Sequence, residues 1–169
     1  MKFLLQAAIV FLFVGLAGCK YSQKYETVNA GNRFSLSIPD WLKKEEGLKP
    51  GADFQYANRF RNFYAIGEVQ PLTENDSVFA AGINAQTAIV KKSLDKPMVT
   101  DSVNVDFGGA KGVRMEIMGK MSDENIFFSE VFLVGKKNNY HLSIWTRSEE
   151  RKLKFKEDIQ KILTSFKEL

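Results

Sequence analysis

Hydrophobic and polar residues alternate along most of the chain with the period of two that is typical of strands. Between residues 33 and 38, Phe34, Leu36 and Ile38 fall on one face and polar residues on the other, which predicts a half-buried strand ending at Pro39. Residues 54–58 and 63–69 predict a hairpin whose turn lies near residues 59–62.

Two stretches have helical spacing instead. The first carries apolar residues at Phe79, Ile83, Val90 and Leu94, follows a possible capping box at residues 73–76, and ends before Pro97. The second closes the chain, follows a possible capping box at residues 146–149, and has an apolar stripe of Phe155, Ile159, Ile162, Phe166 and Leu169.

Four more strands are predicted between these helices, at residues 102–107, 112–118, 125–134 and 140–146. The third is nearly continuous in apolar residues and should be central, and a short turn at residues 136–139 makes its neighbour antiparallel. The order predicts an α+β domain: an antiparallel sheet of about seven strands packed with two long helices, as an α/β/α sandwich.

The first residues follow a different pattern. One lysine, Lys2, precedes an apolar run from Phe3 to Gly15, which is the layout of a secretory signal. The run is shorter than the roughly 20 apolar residues needed to span a bilayer. Leu16-Ala17-Gly18-Cys19 follows and resembles the lipobox of bacterial lipoproteins.

The lipobox resemblance implies cleavage before Cys19, a diacylglyceryl thioether on its sulfur, and a further acyl chain such as palmitate on the new amino group. The chain would then divide into a signal peptide at residues 1–18, a lipidated tether at 19–32 and a single domain at 33–169. Two or three acyl chains hold a protein stably on a membrane. We expect a cell-envelope location, on the outer membrane facing the periplasm: Lys20 rather than aspartate follows the cysteine, which by resemblance to enterobacterial lipoprotein sorting permits transport to that membrane.

A second resemblance concerns the folded part. The Phe34–Pro39 strand near its start, the order of hairpin, helix, meander and terminal helix, and the closing segment Ile162–Phe166 are similar to the PsbP-like family. The similarity covers residues 30–169. It implies a non-enzymatic protein-binding or assembly module, with an envelope protein as partner.

Composition limits the chemistry available. Cys19 is the only cysteine and His141 the only histidine, so no disulfide, thiolate site, metal site or cofactor is predicted. The net charge of +4 is mild, and the lysines alternate with glutamates on helix faces rather than forming a nucleic-acid-binding stripe.

An alternative is an envelope hydrolase that uses His141 or strand glutamates. His141 shares a strand face with Ser143, and Glu68, Glu116 and Glu130 also fall in predicted strands. We interpret His141 as a partly exposed strand histidine, because no nucleophile-elbow sequence accompanies it.

The turn at residues 59–62 is the candidate binding site. Arg59, Phe60 and Arg61 stand where Gly, Asn, Asp or Pro is usual. An exposed Phe60 between two arginines would suit an acidic or aromatic partner surface, or anionic lipid headgroups near the anchor. The alternative is that Phe60 folds back and the arginines pair with Asp53 or Glu68.

Two short stretches, 76–78 and 101–103, resemble an acceptor motif for O-glycosylation found in exported proteins of some bacterial phyla. Ser77 and Ser102 would be the modified residues.

Overall fold

The computed structural model describes residues 23–72 and 76–169, and the side chains of residues 76–78 are left out of the description. The predicted signal peptide, the lipobox and most of the first capping box lie outside these residues. The described chain forms the following elements: β1 (Tyr25–Ala30), β2 (Phe34–Pro39), β3 (Lys43–Lys44), β4 (Phe54–Asn58), β5 (Phe63–Pro71), α1 (Asp76–Lys92), β6 (Asp95–Phe107), β7 (Ala110–Met121), β8 (Glu124–Val134), β9 (Asn138–Arg147), α2 (Glu149–Thr164) and β10 (Lys167–Glu168).

A seven-stranded sheet has the order β3-β4-β5-β9-β8-β7-β6, and every neighbouring pair in it is antiparallel. Strand β9 therefore lies between β5 and β8, which come from distant parts of the sequence. A separate sheet of three strands has the order β1-β2-β10.

The two faces of the large sheet have different neighbours. On one face, Tyr140, Leu142 and Ile144 of β9 are buried against β2 and α2 in the main hydrophobic core. On the other face lie His141, Ser143 and Trp145, because successive strand residues point to opposite sides. Helix α1 covers part of this second face, where Val90 and Leu94 pack in a smaller core with Ile117, Ile126 and Phe128.

The β4–β5 hairpin, the central position of β8, the β8–β9 hairpin and both helices agree with the sequence prediction. Two helices and an antiparallel sheet of seven strands are present. The predicted α/β/α sandwich does not include the second sheet of three strands, which the structure also contains. One face is shared between α2 and the three-stranded sheet, because β10 brings the end of the chain back beside β2.

Some boundaries differ from the prediction. Residues 25–30, expected to belong to the tether, form β1, in which only Ala30 is fully buried, so the segment gives little hydrophobic signal. Helix α2 is capped by Ser148, whose Oγ accepts a hydrogen bond from Arg151 N, rather than by Thr146. Phe166 and Leu169 lie beyond the end of α2, so the helical stripe stops at Leu163.

No helix among the described residues has both the length and the apolar character needed to cross a membrane.

Candidate functional site

The turn between β4 and β5 presents the most exposed aromatic side chain of the described chain. Phe60 is 96% exposed, whereas Phe54 and Phe63 at the start of each strand are buried. The turn is closed by two backbone hydrogen bonds, from Arg61 N to Asn58 O and from Asn62 N to Arg59 O. Asn62 supplies the positive φ of 48° that the reversal requires. We call residues Arg59, Phe60 and Arg61 the hairpin tip.

The two arginines of the hairpin tip are held by local contacts. Arg59 pairs with Glu45, with 2.5 Å between Nη2 and Oε1. The Arg61 guanidinium lies 4.5 Å from the centre of the Trp41 ring, a cation–π contact. The alternative arrangement, with Phe60 folded back and the arginines on Asp53 or Glu68, is wrong.

The hairpin tip lies at the end of the molecule where the described chain begins. Tyr25 at the start of β1 pairs with Pro39 at the end of β2, and Asp40 N donates to Lys24 O at 3.0 Å. The next residue, Trp41, stacks with Arg61 and accepts a hydrogen bond at its carbonyl from Asn58 Nδ2 at 2.8 Å. The start of the chain and the tip are thus joined by a short series of direct contacts.

A second cluster lies inside the sheet around His141. His141 is 4% exposed, which corrects the expectation of a partly exposed histidine. The Nδ1 atom lies 3.0 Å from Glu68 Oε2, and the Nε2 atom lies 2.5 Å from Glu130 Oε2. Lys49 Nζ lies 2.5 Å from the same oxygen of Glu68, and Ser143 Oγ donates to Glu130 Oε1. We call these five residues the buried polar network.

The strand register explains why these side chains meet. Glu68 is directly opposite His141 in the β5–β9 pair, and Glu130 is directly opposite Ser143 in the β8–β9 pair. His141 and Ser143 are two residues apart on one face of β9, so both can reach Glu130. Phe132 stacks on the imidazole, with ring centres 4.6 Å apart.

The electrostatics of the network favour a protonated histidine. Burial alone lowers the pKa of His141, but the hydrogen bonds to Glu130 and Glu68 outweigh it and raise the pKa above its ordinary value of 6.5. Both ring nitrogens face carboxylate oxygens, and only the imidazolium donates from both. The hydrogen bond to His141, assisted by Lys49 and opposed by burial, lowers the pKa of Glu68 to about 2.

This arrangement differs from a serine nucleophile with a histidine base. Ser143 donates to Glu130 rather than to the imidazole, and neither ring nitrogen is free to accept the serine proton. Glu116, the third strand glutamate, points to the opposite face, where Ser129 donates to it and Arg114 lies 3.7 Å away. Of the three glutamates, only Glu68 and Glu130 are brought together.

A cavity of about 240 Å³ opens beside His141, between α1 and the sheet. Phe79 and Ile83 of the helix and Phe132 of the sheet form its apolar wall, and Gln70 and Gln86 its polar part. It is smaller than the roughly 300–1,000 Å³ of most small-molecule sites. Within residues 23–72 and 76–169, no three His, Cys, Asp or Glu side chains are grouped so as to hold a metal ion.

The sequence identified most members of the buried polar network but not their connection. Lys49 was missed, because it lies in an irregular loop far from β9 in sequence. One signal was available: Glu130 is the one charged residue within the mostly apolar run 126–134, and a buried carboxylate requires a partner.

Comparison with solved structures shows the fold. The chain is similar to the cyanobacterial PsbP protein CyanoP from Synechocystis sp. PCC 6803, with 12% identity, a TM-score of 0.62, and coverage of 92% of this chain and 99% of that one. It is also similar to the Ran-binding protein Mog1p of Saccharomyces cerevisiae, with 11% identity, a TM-score of 0.59, and coverage of 86% and 95%.

A third similar structure is LpqN of Mycobacterium tuberculosis, a protein involved in cell envelope biogenesis. It has 10% identity, a TM-score of 0.56, and coverage of 87% of this chain and 91% of LpqN. No protein-family model matches the chain, and a comparison with curated protein sequences finds no match. The domain therefore has the PsbP/Mog1-like fold.

Proposed function

We propose that the protein is a lipid-anchored module of the cell envelope that binds a protein or another envelope component and catalyses no reaction. The observation that carries the proposal is the hairpin tip, with Phe60 fully exposed between two arginines. A few residues carry most of the binding energy at an interface, and aromatic residues and arginine are enriched at interfaces. An aromatic ring held at the end of a rigid hairpin contributes nothing to the core, so its position favours a role in binding.

The anchor is proposed to be lipid on Cys19. The apolar run, the small residues Ala17 and Gly18, and the cysteine agree in composition and order with a lipobox. Acyl chains on Cys19 would hold the domain on the membrane. By resemblance to enterobacterial lipoprotein sorting, Lys20 at the next position permits transport to the outer membrane, facing the periplasm.

Two observations support binding rather than catalysis. The imidazole of His141 has a carboxylate at each nitrogen, so it does not serve Ser143 as a base. The fold is shared with a Ran-binding protein and with a protein involved in cell envelope biogenesis. The partner is therefore a protein or another component of the envelope.

One observation favours a second candidate, an envelope hydrolase. The cavity is lined by His141, whose ring nitrogens contact two carboxylates, and one of these accepts a hydrogen bond from the Ser143 hydroxyl. Labelling with a fluorophosphonate probe tests it, because that reagent modifies activated serines. Labelling of the native protein that disappears in Ser143→Ala would support the hydrolase and oppose the binding module.

The experiment that tests the proposed function is crosslinking in intact cells followed by capture of the protein. The triple substitution Arg59→Ser, Phe60→Ser and Arg61→Ser removes the hairpin tip. The matched control is Lys136→Ser with Lys137→Ser, which removes the same charge from an exposed turn at the opposite end of β9. Loss of a crosslinked component in the first variant alone supports the proposal. Retention of every component in both variants, with folding intact, contradicts it.

A further inference from the structure

We propose that the hairpin tip binds the surface of the membrane in which the protein is anchored, with Phe60 in the lipid interface and the arginines among anionic headgroups. This inference rests on the proposed lipid anchor at Cys19 and names the component that the tip binds. It follows from three features of the molecule: where the tip lies, how far the anchor allows it to move, and which side chains surround it.

The position of the tip relative to the start of the domain comes first. The backbone N–H of Asp40 donates a hydrogen bond to the carbonyl oxygen of Lys24, and the Arg61 guanidinium lies over the ring of the adjacent residue, Trp41. The tip and the point where the chain enters the domain therefore lie at one end of the molecule. The turn at residues 135–137 lies at the other end, because Phe63 pairs with Thr146 and Pro71 with Asn138 along β5.

The short segment between Cys19 and the domain limits how far the tip can move from the membrane. Five residues lead from Cys19 to Lys24, and a fully extended chain spans at most about 3.6 Å per residue, or about 18 Å in all. The nine residues of β5 separate the two ends of the sheet by about 26–30 Å. A lipid on Cys19 thus holds the tip end near the bilayer, and the opposite turn is the one directed away from it.

The side chains at this end suit an anionic interface. Aromatic rings settle at the boundary between headgroups and acyl chains, and arginines beside them attract anionic lipids. Lys43 and Lys44 of β3 are exposed next to the hairpin and add to the positive charge. The acidic residue in contact with the tip is Glu45, which pairs with Arg59. Arg61 makes no ion pair among the described residues, so its charge is available to a headgroup.

A protein surface is the competing partner, and the observations favour lipid. The exposed aromatic of the tip is a single ring between charges rather than an extended apolar patch, and stable protein interfaces bury about 800 Å² on each partner. One inserted ring with two arginines is a small contact. It is sufficient when the acyl anchor already keeps the tip close to the surface, since the second contact is then intramolecular.

The test uses the full lipidated protein, reconstituted in vesicles of phosphatidylcholine brominated on its acyl chains, with or without an equal part of phosphatidylglycerol. The reporter is Phe60→Trp, compared with the native protein, which contributes the signal of Trp41 and Trp145. The matched control is Lys136→Trp at the opposite turn. Flotation of the vesicles is measured in parallel, to show whether the acyl anchor is present.

We expect the extra fluorescence of Phe60→Trp to be quenched by the brominated lipid, more strongly with phosphatidylglycerol, and that of Lys136→Trp to be unaffected. Each arginine replaced by serine beside the reporter should lower the ratio of docked to undocked tip about fivefold. High salt should also lower the ratio of docked to undocked tip, because it screens the attraction between the arginines and the anionic headgroups.

The outcomes separate the two proposals. If the native protein fails to float with the vesicles, the lipid anchor is wrong. If it floats but Phe60→Trp is not quenched beyond the control, the tip does not bind the bilayer. If the tip is unquenched in vesicles but becomes quenched or crosslinked only when an envelope protein is added, its partner is a protein and the present inference is overturned.

Discussion

Glu130 and His141 form a direct contact inside the large sheet, with 2.5 Å between Oε2 and Nε2 and with Glu130 completely inaccessible to solvent. A carboxylate in that position requires a compensating charge, because an isolated buried charge is very unfavourable. The imidazolium supplies it, and Glu68 with Lys49 balances the second ring nitrogen. The charges of the buried polar network therefore alternate along its length.

The first prediction concerns the ionisation of His141. Its pKa is raised above 6.5 in the folded protein, so its stabilising contribution is fully present below pH 6.5 and is lost as the pH rises through the folded value. Because the chain has one histidine, a single set of imidazole NMR signals reports the titration directly. We expect a midpoint above 6.5 in the native protein. A midpoint at or below 6.5 would show that the carboxylates do not compensate for burial.

The second prediction concerns the loss of stability at acid pH. The pKa of Glu68 is lowered from 4.5 to about 2, so the stability that it contributes is present above pH 4.5 and is lost as the pH falls toward 2. Urea denaturation across this range should show a steep decline that is flatter in Glu68→Gln. Glu157→Gln on the exposed side of α2 is the control and should retain the native slope. Equal slopes in the two variants would exclude Glu68 as the source.

The third prediction concerns the end of the chain. Phe166 is 2% exposed and packs against Phe34 and Tyr140, with ring centres 5.7 and 5.0 Å away. Phe166→Ala should lower the free energy of unfolding by about 3–5 kcal/mol, since it leaves a cavity between the two sheets. Leu153→Ala on α2 is the control, because Leu153 is largely exposed, and should change it by less than about 0.5 kcal/mol. Similar values for both would mean that the end of the chain is not part of the core.

Strands could be predicted from the sequence where the hydrophobic pattern of the segment reflects the burial of its residues. The β4–β5 hairpin was predictable because alternation runs up to a short polar turn on both sides. Strand β1 was not, because an edge strand with one buried residue has almost no periodic signal. Strand β6 begins before Pro97, where the pairing with β7 is irregular, and an edge strand tolerates proline at such a place.

The buried polar network shows a different limit. Residues in strand segments could be assigned to faces by alternation, but their neighbours across the sheet depend on strand order and register. Placing β9 between β5 and β8 is what unites Glu68, His141 and Glu130. The exposure of Phe60 was likewise one of two alternatives, because an unusual composition at a turn does not show whether the ring points into solvent or folds back onto the hairpin.

The proposed anchor at Cys19 is tested most directly by mass spectrometry of the protein purified from its native membrane. The account predicts that the mature chain begins at Cys19 and that its first peptide carries a diacylglyceryl group with or without a further acyl chain. Cys19→Ala should lack the label from a fatty-acid analogue and should leave uncleaved precursor or protein released from the membrane. A native chain that begins elsewhere, or a Cys19→Ala variant that still labels and sediments with membranes, would contradict the account.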